Sequence, residues 1–279
     1  MNVEAAYDWC ERVTRKEAKN FAYGIRLLHE PERRAMSAVY ALARRIDDIG
    51  DGEGSADEKL SALTLLRKDI DPIDPSTNDP VLIAVLDAAT RYSLPMDCFG
   101  EIIDGCEMDL HDAHYETIED LVKYCRNVAG SVGRLTLAVV GSDDPERAIP
   151  LADSLGVALQ LTNIVRDVAE DRERGRVYIP RADAERVSCA LDLSGPDSAT
   201  ARVVAYECGR ADRWFDEGLQ LLPLLHGRGR ACVGALSGIY RHLLQRIENN
   251  PIAVTRGRVS VPTYEKVTVA LQSLWAARS

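Results

Sequence analysis

Two groups of acidic and amide side chains stand at spacings that could gather a cation. One lies in Arg44-Arg45-Ile46-Asp47-Asp48-Ile49-Gly50-Asp51, the other in Asn163-Ile164-Val165-Arg166-Asp167-Val168-Ala169-Glu170-Asp171. An α-helix turns about 100° per residue, so Asp47 and Asp51 fall about 40° apart on one face. Asn163, Asp167 and Asp171 make a ladder at four-residue steps, with Gln160 a turn earlier on nearly the same side. Like charges at that spacing cost a helix roughly a few tenths of a kcal/mol per pair, so each ladder needs a counter-charge. Carboxylate and amide oxygens are the ligands Mg²⁺ takes, and Mg²⁺ completes its shell with water and substrate phosphate. Two ladders with Mg²⁺ between them, or Mn²⁺ in its place, describe a diphosphate-binding site. Its candidate metal ligands are Asp47, Asp48, Asp51, Asn163, Asp167 and Asp171.

Arginines surround both ladders. Arg44 and Arg45 precede the first, Arg166 lies inside the second, and Arg172, Arg174 and Arg176 follow it before Tyr178-Ile179-Pro180. Guanidinium groups bind phosphate in bidentate fashion and stabilise a departing diphosphate. Arg44 and Arg166 lie nearest a ladder's own face. Arg172 and Arg174 fit ordinary intrahelical pairing with Glu170 or Glu173 equally well. The plain alternative for the acids is a pair of solvated faces neutralised by these arginines, which suits one such pair better than two. A calcium loop fails, because Asp47, Asp51, Gly52 and Glu58 match positions 1, 5, 6 and 12 but position 3 is Ile49.

Other chemistries lack their residues. There is no GxxxxGK[ST] loop, no GxSxG elbow, and Gly50, Gly52 and Gly54 follow no strand. The seven cysteines are scattered without a CxxC, and read as small buried hydrophobes in a reducing compartment. His111 and His114 read as a solvated loop pair.

The elements that must position the ladders are helical. Met36, Val39, Tyr40, Ala43, Ile46 and Ile49 recur at steps of three and four between Pro31 and Gly50. Leu151, Leu155, Ala158, Leu159, Thr162, Val165 and Val168 form a second stripe, which the pattern extends through Asp171. Further stripes cover about 58–70, 80–92, 95–110, 117–140, 197–222 and 230–249. Only Arg258-Val259-Ser260-Val261 alternates like a strand. Breakers such as Asp71-Pro72, Gly141 to Pro145 and Ser194-Gly195-Pro196 are too short to be interdomain linkers. The expectation is one all-α domain over residues 1–279, of roughly ten helices.

The 34 basic and 44 acidic side chains give a net charge of −10, which excludes nucleic acid as a partner because phosphate-backbone binding needs a dominant basic surface. With 46% hydrophobic residues the chain can fill a sizeable core. No stretch approaches the roughly 18 unbroken apolar residues of a membrane span. From Met1-Asn2-Val3-Glu4 a secretory signal is not expected, nor is an anchor after Trp275-Ala276-Ala277-Arg278-Ser279. A cytoplasmic location is expected.

At these residues the chain resembles the squalene/phytoene synthase family, the head-to-head trans-isoprenyl diphosphate synthases. Val39 to Asp51 and Leu159 to Asp171 carry the resemblance, and Gly175-Arg176-Val177-Tyr178-Ile179-Pro180 extends it. Asn20-Phe21, Tyr124-Cys125, Ala129-Gly130-Ser131-Val132-Gly133, Tyr240 and Arg258 add to it, so it spans about residues 17 to 262. Asn20 to Leu28 together with Arg44 to Gly52 looks most like the bacterial presqualene diphosphate synthases of hopanoid pathways. One departure is Asn20, where many members have serine.

The resemblance implies an isoprenoid synthase fold with helices around a central cavity. It implies Mg²⁺-dependent condensation of two farnesyl diphosphates to presqualene diphosphate, with release of diphosphate. Tyr40, Arg44, Asp47, Asp51, Arg166 and Asp167 are then the catalytic candidates. Asn20, Phe21, Tyr40, Arg44, Gln160, Asn163, Arg166, Arg176, Tyr178, Tyr240 and Arg258 are the substrate-binding ones. Phe21, Tyr40 and Tyr240 offer ring faces to a carbocation, against plain core packing as their alternative. Phytoene synthesis from geranylgeranyl diphosphate and squalene synthesis with NADPH are the alternatives inside the family. NADPH is not expected, and the lack of a Rossmann motif does not bear on it. A non-catalytic helical metal-binding scaffold is the alternative outside the family. Greasy substrates and products make peripheral membrane contact plausible, and enzymes of the downstream pathway are the expected partners.

Overall fold

The computed structural model describes residues 1–279 except Lys19, Asp112, Ala113, Gly195, Arg278 and Ser279. The breaker at Gly195 and the end of the sequence after Ala277 therefore lie outside the described residues. Chain order gives α1 (Val3–Glu17), α2 (Phe21–Ile25), α3 (Glu30–Asp51), α4 (Ala56–Ile70), α5 (Pro80–Tyr92) and α6 (Asp97–Leu110). Then follow α7 (Ile118–Cys125), a π-helical turn Arg126–Gly130, α8 (Ser131–Val140), α9 (Pro145–Arg166), α10 (Val168–Glu173) and α11 (Arg181–Arg186). The last are α12 (Asp197–Gly218), α13 (Gly227–Asn249) and α14 (Thr263–Ala276), with 3₁₀ turns at Leu219–Leu224 and Pro251–Thr255. No strand occurs among the described residues, and the fold class is all-α as expected.

Helix ends follow local chemistry. Pro31 sits in the first turn of α3 with Glu30 and Glu32, where a missing N–H costs nothing and acidic groups meet the dipole. Glu58 closes a capping box: its Oε2 accepts from the Ser55 N–H at 2.8 Å while Ser55 Oγ accepts from the Glu58 N–H at 3.3 Å. That helix start occupies the position a calcium ligand would have needed.

Several expectations need correction. The stripe at 117–140 is three segments, because the π turn Arg126–Gly130 inserts between α7 and α8. The stripe at 197–222 tightens into a 3₁₀ turn at Leu219. Arg258 to Val261 has no regular secondary structure and forms no strand. The fourteen α-helices among the described residues exceed the expected ten because short helices such as α2, α10 and α11 carry too little periodicity to read. The second ladder is not one helix, since α9 stops at Arg166 and Asp167 takes φ −98°, ψ 12°. The four-residue bonds survive the break: Asp167 N–H donates to Asn163 O at 2.9 Å and Asp171 N–H to Asp167 O at 2.8 Å.

Two hydrophobic clusters flank the middle of the molecule. One joins α1, α3, α5, α6 and α8 around Leu42, Ile46, Phe99 and Ile103, all fully buried. The other joins α9, α12 and α13 around Phe215, Leu243, Leu244 and Ile247. Each such side chain contributes about 1.5–3 kcal/mol of burial free energy. Phe21 packs against both clusters. The π turn lies tight on α9: a Cβ on Gly156 would sit 2.3 Å from Ala129 O, so glycine is what lets these two backbones meet. All seven cysteines are buried free thiols. Helix α9 is long and apolar enough to cross a membrane, but 61% of that window is buried within the fold.

Candidate active site

A cavity of about 760 Å³ opens between the two clusters, and both ladders face it. Helix α3 contributes Tyr40, Arg44, Asp47 and Asp51 to its wall; the end of α9 and α10 contribute Gln160, Asn163, Arg166, Asp167 and Asp171. Asn20 and Phe21 enter from α2 and its cap, Arg176 and Tyr178 from the loop after α10, Tyr240 from α13, and Arg258 from the segment before α14. Every candidate residue except Asp48 therefore lines one space. Asp48 is displaced by the helix rotation that brings Asp47 inward: it is exposed, and Arg44 Nη2 holds its Oδ1 at 2.6 Å. As a metal ligand Asp48 is a correction, since its carboxylate is outside the cavity wall.

Arginines bridge the ladders. Asp51 on α3 receives Arg174 Nη1 on Oδ2 and Arg176 Nη1 on Oδ1, both at 2.8 Å. These contacts hold the Asp51 carboxyl below its usual range, although burial works against them. Arg166 is buried and donates from Nε to Asp167 Oδ1 at 2.7 Å, with its Nη2 on the other oxygen. Arg258 Nε lies 3.3 Å from the same Asp167 Oδ1. Arg45, by contrast, reaches away to clamp Asp79 in bidentate fashion at 2.9 Å and serves the cap of α5.

Asp47 and Asp171 are compensated less closely: Arg44 Nη1 lies 3.8 Å from Asp47 Oδ2. Asp47 meets cavity solvent but is ringed by protein mass. Desolvation first, then Asp51, push its carboxyl up to about 6. Desolvation and Asp167 push Asp171 up to about 7. Both shifts describe negative charge in want of a cation. Two buried atoms say the same. Asn163 donates from Nδ2 to Gln160 Oε1 at 3.1 Å, while its own Oδ1 is buried and accepts nothing. Arg44 Nε is buried and donates to nothing. An orphaned acceptor among carboxylates fits a divalent cation, and an orphaned guanidinium N–H fits a phosphate oxygen. Among the described residues no three His, Cys, Asp or Glu groups are already drawn together at ligand distances. The arginines now hold some of those oxygens.

Three rings stand at the apolar side. Phe21 is 6.4 Å from Tyr40 and 6.3 Å, edge-on, from Tyr240. Beyond them the wall is aliphatic, from residues such as Val39, Leu159 and Leu236.

Sequence reasoning missed Asp109 on α6. Tyr178 Oη donates to its Oδ1 at 2.8 Å and Tyr124 Oη to its Oδ2 at 3.0 Å, and all three residues line the cavity. No partner at helical spacing marks Asp109, so only the tertiary contacts show it. Arg174 was left between two readings; its partner is Asp51, on another helix.

A polar end built for cation and phosphate, continuous with an apolar chamber, suits a diphosphate attached to a long hydrocarbon. The family model for squalene/phytoene synthases matches residues 14–265. The chain belongs to the squalene/phytoene synthase family. Members of this family are prenyltransferases that condense prenyl diphosphates head to head. The chain is 42% identical to the phytoene synthase of Mycobacterium tuberculosis, over 98% of this chain and 91% of that protein. It is 34% identical to the 15-cis-phytoene synthase of Synechocystis sp., over 95% and 83%. Among solved structures it is similar to a dehydrosqualene synthase in complex with ligand, with TM-score 0.90 and 26% identity over 99% and 98% of the two chains. The squalene synthase HpnC from Alicyclobacillus acidocaldarius gives TM-score 0.81 and 30% identity over 88% and 94%.

Proposed function

We propose that this family member condenses two farnesyl diphosphates to presqualene diphosphate, with Mg²⁺ or Mn²⁺ and without NADPH. The facing of two aspartate ladders across one cavity carries the reaction class. The resemblance of Asn20–Leu28 and Arg44–Gly52 to presqualene diphosphate synthases supports the finer product. A second reading, phytoene from geranylgeranyl diphosphate, is favoured by the 42% identity to a phytoene synthase.

Asp47, Asp51, Asn163, Asp167 and Asp171 would hold the metal, which supplies Lewis-acid neutralisation of diphosphate charge. Arg44, Arg166 and Arg176 point guanidinium groups at the same space and bind the diphosphate oxygens. Charge drawn onto the leaving diphosphate lets its allylic C–O bond ionise. The faces of Phe21, Tyr40 and Tyr240 attract the allylic cation. The aliphatic wall excludes the water that would quench it, leaving the 2,3-double bond of the second substrate as the nucleophile.

The raised carboxyls give this reading a test. At about pH 6.5, Asp47 and Asp171 each hold part of a proton in the metal-free protein. A cation favours the charged form, so Mg²⁺ binding with inorganic diphosphate should release protons, and affinity should weaken as pH falls through this range. Calorimetry in two buffers of different ionisation enthalpy measures the release. No release would remove both carboxylates from the ligand set.

Peripheral membrane contact has support in α14, which exposes Tyr264 (70%), Val267 (43%), Leu271 (61%) and Trp275 (78%) at helical spacing. Liposome co-sedimentation should fall when Leu271 and Trp275 are both replaced by serine. Unchanged sedimentation would count against this face.

A further inference from the structure

A second hollow lies behind the wall that bounds the cavity. It is a groove of about 840 Å³ between α7, α9 and α12. Neighbouring residues of the intervening backbone divide between the two spaces. In the π turn, Val128 and Ala129 line the cavity while Arg126 and Asn127 line the groove; on α9, Ala152 and Asp153 divide in the same way. Among the described residues the two spaces share no lining side chain.

The groove is basic in an acidic protein. Five cations and three carboxylates line it, in a chain of net charge −10. Three of the cations are already paired. Glu101 clamps Arg134 in bidentate fashion, Arg126 Nε lies 3.0 Å from Asp153 Oδ2, and Arg210 serves Asp183 and Glu207. Lys123 and Arg213 are exposed, and neither forms an ion pair among the described residues. The third carboxylate, Glu119, is unpaired as well and can balance only one of them. Another donor is unused: Arg134 Nε is buried, lies 3.6 Å from Asp153 Oδ1, and donates to nothing. Beside these cations stands apolar surface that reaches solvent, namely Ile149 at 47% exposure, Pro150 and the half-buried Trp214 ring.

We propose that this groove is a second anion site, separate from the cavity, for a diphosphate that carries an apolar body. A diphosphate presents several oxygens along its length, so one molecule can engage more than one cation, and guanidinium takes such oxygens in bidentate fashion. Lys123 and Arg213 are the cations with nothing else to hold. The apolar body covers Trp214, Ile149 and Val122, and by excluding water it strengthens the ion pairs beside it. An inorganic anion would leave that surface bare. A prenyl chain and a nucleoside base both supply such a body, and the site does not depend on which product the cavity makes.

The chain has three tryptophans, so replacing Trp9 and Trp275 by phenylalanine leaves Trp214 in the groove as the one fluorescent indole. This protein is titrated with Mg²⁺ present, separately with farnesyl thiolodiphosphate, which resists ionisation, with ADP, and with inorganic diphosphate. A saturable change in Trp214 emission is expected with one of the two organic ligands, and the one that gives it identifies the apolar body. Adding Lys123→Ala and Arg213→Ala should weaken that ligand by at least about 10-fold, while diphosphate release from farnesyl diphosphate stays within about 2-fold. Should the combined variant not fold, as read by circular dichroism, Arg213→Ala alone decides, with a weakening of at least about 3-fold. No emission change with either organic ligand overturns the site. An unchanged affinity in the folded charge variants overturns it too. Diphosphate release that falls in step with the affinity also overturns it, because these cations would then serve the cavity. Inorganic diphosphate bound as tightly as the organic ligand overturns the apolar half of the assignment.

Discussion

Asp51→Asn is expected to lower diphosphate release by about 10²–10³-fold while leaving the thermal transition within about 2 °C of wild type. Asp51 stands where the two ladders meet: it grows from α3, yet both of its oxygens are taken by Arg174 and Arg176 of the loop after α10, at 2.8 Å each. Asparagine preserves its volume and one acceptor but removes the charge, so it can no longer help hold a cation over a diphosphate. Folding should suffer little, because Arg174 is exposed, Arg176 keeps Asp109 as a facing charge, and asparagine still offers one acceptor to them. Asp167→Asn should behave differently. Its partner Arg166 is only 7% exposed, so the same change strands a buried guanidinium and lowers stability as well as turnover. Initial rates from a coupled diphosphate assay, beside thermal melts, separate the two cases. Equal activity in Asp51→Asn and wild type would exclude it as a ligand.

The largest stability effect is expected far from the cavity. Arg210 on α12 donates from Nη1 to Asp183 Oδ2 at 2.7 Å and to Glu207 Oε1 and Oε2 at 2.8 and 2.7 Å, with its guanidinium 4.9 Å from the Tyr206 ring. None of the three charged residues is more than 8% exposed. Arg210→Met keeps the apolar stem and leaves two carboxylates buried without a cation, at a cost of about 3–5 kcal/mol near neutral pH. For a chain of this size that is roughly 6–15 °C in melting temperature.

The loss should depend on pH. Burial outweighs Arg210 even in the wild type and pushes the Glu207 carboxyl from 4.5 up to about 7. A carboxyl raised on folding stabilises the native state most below its unfolded value, and that contribution is lost as pH rises through the folded value. Removing Arg210 raises these carboxyls further. The deficit should therefore be larger at about pH 8 than at about pH 5.5. Melts of wild type and variant at both values check this, and an equal deficit would show that packing, not charge, holds α11 to α12.

Much of this architecture was legible because its signals are local. The stripe from Met36 to Ile49 and the bounds at Pro31 and Gly50 sit in consecutive residues, and α3 follows them closely. The ladders were visible for the same reason, since residue type and four-residue spacing suffice to put Asp47 and Asp51 on one face. The turn at Asp167 was not visible: Val168-Ala169-Glu170-Asp171 continues a helical pattern, and the backbone bonds bridging the break keep the spacing that the pattern reports. The π turn at Arg126–Gly130 was hidden likewise, because its cause is the close approach of α9 at Gly156. Asp109, Arg174 and Asp48 mark the same boundary. Their partners lie on other helices or turn on side-chain direction, so spacing alone cannot assign them.

One incubation bears on the central claim more directly than any variant. Purified protein is mixed with farnesyl or geranylgeranyl diphosphate, with Mg²⁺ or with a chelator, and with or without NADPH, and the products are identified by mass spectrometry. The expected result is metal-dependent release of diphosphate, with presqualene diphosphate formed from farnesyl diphosphate irrespective of NADPH. Phytoene from geranylgeranyl diphosphate alone would keep the family reaction and reassign the substrate. No diphosphate release from either substrate, with metal present and the protein folded, would contradict the assignment of this cavity as a prenyl diphosphate active site.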